Sequence, residues 1–216
     1  MKKKQLLVMV AMMLVVAMVS VAGTMAFLIS SSGPVINSFS VGKLAITLDE
    51  AKVTEYGVVD ATATSRVTAN TYKLVPGHEY TKDPIVHFQP DSEEAWLFVK
   101  VENGIADIET TDDTKTIAAQ IADNGWEVLE SGEGYVIYFQ KAAALAANAA
   151  AKDYKVFEKF TLKDDLLQTA LQNKVDAKAK ITVTAFAVQT DGFEGATDKD
   201  KAQAAWNATF GAPPQA

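Results

Sequence analysis

Two histidines, His78 and His87, are all the chain offers for imidazole chemistry. His78-Glu79 opens like the His-Glu-x-x-His of zinc peptidases, where two imidazoles one helical turn apart grip one metal and the glutamate serves as base. Here the second imidazole comes nine residues later, beyond Pro84 and inside a predicted strand, so the spacing does not build that site. Ser40-Val-Gly-Lys43 matches the Ser-x-x-Lys of penicillin-binding enzymes, but it falls in a strand-like segment, and neither Ser-Asp-Asn nor Lys-Thr-Gly occurs. Carboxylates cluster at Asp112-Asp113, Asp164-Asp165 and Asp198-Lys-Asp200 without the alternate spacing of a calcium loop. Standing just before predicted helices, they read as caps that complement the helix dipole. No catalytic residue, cofactor site or metal site is expected.

Trp96, Trp126 and Trp206 could stack on sugars if two of them shared an exposed face. Each sits within an apolar strand or helix pattern, which predicts core positions instead.

The elements that would carry these residues are mostly strands. Phe39 to Asp49 alternates with a slip at Gly42-Lys43; Ile85 to Gln89 and Trp96 to Glu102 follow, the latter with Trp96 and Phe98 opposed to Val99 and Val101. Pro76-Gly77 marks a turn. Trp126 to Glu130 and Tyr135 to Gln140 form a hairpin around Ser131-Gly-Glu-Gly134, and Ala177 to Gln189 is the last strand, with Ile181, Val183, Ala185 and Ala187 on one side. Helices are predicted at Asp113 to Ala122, Asp164 to Asn173 and Asp198 to Phe210. The alanine-rich Lys141 to Lys152 fits either a short helix or a peripheral loop. Many short strands with helices in the connections predict a mainly β protein, an antiparallel β-sandwich of jelly-roll type.

At the N-terminus, Lys2, Lys3 and Lys4 precede an apolar run from Leu6 and then small residues, the order of a secretory signal peptide. Cleavage is expected after Ala26, with Ala22 as the other small-x-small site; a retained anchor is the alternative, since the run of 17 apolar residues is at the lower edge of a bilayer span. The expected organisation is a signal peptide at 1–26, a donor segment and linker at 27–36, the sandwich at 37–210 and a tail at 211–216. Of the 20 basic residues, three leave with the signal, so 17 face 27 acids, a net charge of −10. That balance opposes binding to nucleic-acid phosphates. Without cysteine, thiol chemistry and disulfides are excluded, and an exported fold must rest on its apolar core.

Three stretches together resemble the TasA and camelysin family of Gram-positive bacteria: Gly23-Thr-Met-Ala-Phe27, Phe39-Ser-Val-Gly-Lys-Leu-Ala-Ile46 and Leu74-Val-Pro-Gly-His-Glu-Tyr-Thr-Lys-Asp-Pro84. The similarity covers the signal and roughly the first 80 mature residues. It implies a signal of the type removed by the peptidase SipW, and a secreted jelly roll that polymerises into biofilm-matrix fibres at the cell surface, each subunit lending its N-terminal strand to the next. Self-association, other matrix proteins and the signal peptidase are the implied partners. The resemblance also carries a rival, a casein-cleaving metallopeptidase, which here would have to use His78, Glu79 and His87.

Physical chemistry points toward the fibre. Cleavage after Ala26 would leave Phe27, Leu28 and Ile29 at a free terminus, followed by Ser30-Ser-Ser-Gly33. Burying each large apolar side chain is worth about 1.5 to 3 kcal/mol. Pairing with an open sheet edge of a neighbour would bury them, and such a head-to-tail contact generates filaments. The segment could instead pack on its own domain or fray.

Overall fold

The computed structural model describes residues 43–211, all within one compact unit. The expected cleavage site at Ala26 and Phe27, the donor residues Phe27, Leu28 and Ile29, and Ser40 lie outside the described residues.

The apolar run Ala95-Trp-Leu-Phe-Val-Lys-Val becomes the centre of the fold because it is buried on both faces. It is strand β4 (Ala95–Asn103), flanked by β6 (Tyr135–Ala142) and β9 (Ile181–Gln189), with β5 (Glu127–Gly132) beyond β6; the antiparallel order is β5-β6-β4-β9. A second antiparallel sheet has the order β1-β3-β7, from Ile46–Asp49, Ile85–Phe88 and Lys152–Lys155. A third pairs β2 (Glu79–Thr81) with β8 (Lys159–Thr161). Two short helices sit in the connections, α1 (Ile117–Asp123) and α2 (Gln168–Asp176), and a third, α3 (Asp198–Phe210), follows the last strand. The described residues are therefore mainly β, as the sequence predicts.

Alternation sorts the side chains as expected. Leu97, Val99 and Val101 of β4, with Ile181, Val183, Ala185 and Ala187 of β9, join an apolar cluster with Ile46 and Leu48 of β1, Val86 and Phe88 of β3 and Tyr154 of β7. Trp96 and Phe98 face the other way, into a second cluster closed by Ala202, Ala205 and Trp206 of α3. The Phe98 and Phe186 rings lie 5.2 and 5.4 Å from that of Trp206.

Several boundaries shift for local reasons. Helix α1 starts at Ile117 because the Thr116 hydroxyl accepts the Ala119 N–H; Asp112 turns back on Thr114 and caps no helix. Helix α2 starts at Gln168 without a side-chain cap, so Asp164 and Asp165 do not serve it either. The Asp198 and Asp200 pair behaves as expected: both lie in the first turn of α3, and Asp200 closes a capping box with Thr197. The last strand begins at Ile181 rather than Ala177, and the alanine-rich stretch between β6 and β7 is a loop anchored by a bridge from Leu145 to Ser92. The β5–β6 hairpin and the Pro76-Gly77 turn form where predicted; Gly134 and Gly77 both adopt positive φ.

Candidate functional site

The geometry of the described residues does not bring together the histidine pair of a zinc site or a tryptophan platform for sugars. His78 precedes β2 and its Nε2 is 2.9 Å from the Tyr56 carbonyl oxygen, whereas Glu79 pairs with Lys159. His87 lies in a different sheet, between Asp49 and Asp153. Among the described residues no group of three metal-ligating side chains converges on a cation site. Trp96, Trp126 and Trp206 are 1, 2 and 7 % exposed, so the sugar-stacking platform is absent from them. Trp126 is held by its indole N–H donating to the Lys155 carbonyl at 2.8 Å. Lys43 of the Ser-x-x-Lys tetrad pairs with Asp91.

What the fold does provide is a groove between two sheet edges. β1 and β9 are both edge strands, in different sheets. Gly104 donates to the Lys180 carbonyl and Thr190 to that of Glu94, which fixes the phase of pairing along β9. The amides of residues 181, 183, 185 and 187 therefore turn away from β4, toward the open edge. By the same alternation, Ala45 accepts from Gln89, so Ile46 and Leu48 present their backbone groups on the side of β1 away from β3. Glu50 bridges to Val67 on that side. Between the end of β1 and the start of β9 lies a cavity of about 690 Å³, whose apolar lining includes Leu48, Leu74, Ile105, Phe160, Ile181 and Val183. Ile46, Leu48, Ile181, Val183, Ala185 and Ala187 point toward the core yet stay only half-buried.

The β1 side of this groove is braced by ionic networks. Glu50, 4 % exposed, accepts from Lys82 Nζ at 2.5 Å and from Asn70 Nδ2 at 2.9 Å. On the outer face of β1-β3-β7, Asp49 is held by His87 at 3.0 Å and by Arg66, which reaches on to Asp83 at 3.1 Å. His87 Nδ1 meets Asp153 at 2.6 Å. Burial alone would raise the Asp49 carboxyl, but its hydrogen bonds to His87 and Arg66 prevail and hold it below the usual range.

None of Glu50, Asn70 or Arg66 stands in a sequence motif, because their partners are 17 to 32 residues away in sequence. One signal was present: Arg66 is the only arginine in a chain otherwise using lysine, and arginine is the residue suited to forking between two carboxylates. No family model, curated protein or solved structure matches the chain.

Proposed function

We propose that this chain is a secreted structural subunit of extracellular fibres, of the biofilm-matrix kind, that assembles by N-terminal strand exchange. The observation that carries the reading is the groove between β1 and β9, each an edge strand of its sheet among the described residues. Among the described residues, a strand entering it would meet the outward backbone of Ile46 and Leu48 on one side, short of the Glu50–Val67 bridge, that of residues 181, 183, 185 and 187 on the other, and half-buried apolar side chains beneath it. Residues 27–36 of a second copy, led by Phe27, Leu28 and Ile29, supply the backbone and the apolar tip. Their insertion completes a jelly-roll sandwich whose two main sheets already share one apolar cluster. Donor and acceptor surfaces differ, so the contact repeats head to tail and does not close. The role is structural rather than catalytic, at the cell surface or in the matrix, with other copies and matrix proteins as partners and nucleic acid excluded by the net negative charge.

The test compares the mature protein with a form lacking residues 27–33, both imaged by electron microscopy. Filaments are expected only from the longer form. Filaments of equal abundance from the truncated one would overturn the donor role, and the mass of the secreted form checks the new terminus.

A further inference from the structure

Glu50, Asn70 and Lys82 form a constellation that ion pairing alone does not explain. One carboxylate holds a primary amine on one oxygen, Lys82 Nζ at 2.5 Å, and a carboxamide on the other, Asn70 Nδ2 at 2.9 Å. The Lys82 side chain is 11 % exposed and that of Glu50 5 %. The orientation of the Asn70 amide is fixed from both ends: its Nδ2 also donates to the Ala51 carbonyl at 2.8 Å, and its Oδ1 accepts the Val53 N–H at 3.0 Å. An amine, an amide carbonyl polarised by a backbone N–H, and a carboxylate touching both are the three parts an acyl transfer from nitrogen to nitrogen needs.

We propose that Lys82 and Asn70 join through a self-formed amide cross-link, with Glu50 carrying the protons. Lys82 Nζ passes a proton to Glu50 and its lone pair attacks Asn70 Cγ. The charge developing on Oδ1 is received by the Val53 N–H. Glu50 delivers that proton to Nδ2 and takes the second proton from the attacking nitrogen; the Cγ–Nδ2 bond breaks, and the ammonia released carries that second proton away as ammonium. One C–N bond forms and one breaks, nothing is oxidised or reduced, and no co-reactant is needed. Holding both groups on one carboxylate makes the step intramolecular. The product closes residues 70–82 into a ring and ties the loop that lines the groove to the strand exit after β2. In a chain without cysteine this is a covalent staple of a kind that reduction does not open.

Trypsin and tandem mass spectrometry of the purified full-length chain test it. The expected product is a branched peptide in which residues 67–73 are joined to 74–100, uncut after Lys82 and lighter than its two parts by one ammonia. Separate peptides ending at Lys73 and at Lys82 in the wild-type protein would overturn the proposal, as would an ammonia loss that maps to Asn103-Gly104 or Asn124-Gly125 instead. Glu50→Gln, its fold checked by circular dichroism, is expected to lose the branched peptide; equal yield in that variant overturns the role of Glu50. The wild-type digest stands even if the variant does not fold. No arm depends on filament formation, so the result is independent of the fibre reading.

Discussion

His87 Nε2 lies 3.0 Å from the Asp49 carboxylate, and this contact joins the middle strand of the three-stranded sheet to the strand that walls the groove. The other ring nitrogen meets Asp153 on the opposite neighbour, so a single imidazole spans all three strands. Only the protonated ring can donate on both sides.

This arrangement gives stability a definite pH dependence. Burial by itself lowers the His87 pKa, but the hydrogen bonds to Asp49 and Asp153 outweigh it and raise it above the ordinary 6.5. A raised folded-state value means the contribution is complete below about 6.5 and is lost as pH rises through the folded value. Urea midpoints measured from pH 6 to 9 should fall by the equivalent of about 1–2 kcal/mol, the scale of a charge-assisted hydrogen bond. His87→Gln should flatten that slope. An unchanged slope in the variant would remove His87 as its source.

Gly57 is the most constrained turn position beside the core. Its φ is +74°, and a Cβ there would stand 2.7 Å from Tyr80 Cα. Tyr80 is fully buried, stacked on Phe160 and bonded to the Lys73 carbonyl through its hydroxyl. Gly57→Ala should therefore cost about 1–3 kcal/mol, combining strain at positive φ with a backbone shift. Thermal denaturation measures this; a variant as stable as wild type would show that the loop yields freely.

Assembly should depend on the open edge of β9 more than stability does. The Val183 N–H points away from β4, so Val183→Pro removes a donor from the groove side while leaving the β4 ladder intact. Filament formation followed by light scattering should drop sharply, with monomer circular dichroism near wild type. Normal filament growth in this variant would direct attention away from the β9 edge.

The tryptophans make a spectroscopic prediction. With all three buried, emission should be blue-shifted and resistant to acrylamide. Trp206→Ala should uncover Phe98 and Phe186, cost about 3–5 kcal/mol, and leave the spectrum of the remaining two little changed. Strong quenching of the wild-type protein would contradict the packing of α3 on the sheet.

Strands and their faces were legible in advance wherever one short rule governs them. Period-two alternation sorted Trp96 and Phe98 from Val99 and Val101, and put Ile181, Val183, Ala185 and Ala187 on one side, because adjacent side chains on a strand must point oppositely. The hairpin at Glu133-Gly134 and the acids Asp198 and Asp200 at the start of the last helix were equally local, since a positive φ or a cap concerns residues within one turn. Helix starts at Asp113 and Asp164 were misplaced because an acid can satisfy its own loop instead of the helix, as Asp112 does with Thr114. β7 and β8 escaped notice, being three or four residues long with a partner more than sixty residues away.

By itself, then, the sequence determined a cysteine-free, acidic, strand-rich chain without the spacing for a zinc or serine active site. Tertiary structure alone decided that β1 and β9 are the edge strands beside one cavity among the described residues, that His87 sits between two aspartates, and that Glu50 holds Lys82 beside Asn70. The reason is physical: hydrogen bonds between distant segments obey no sequence period, and an edge becomes an edge only when every other strand has found its partner.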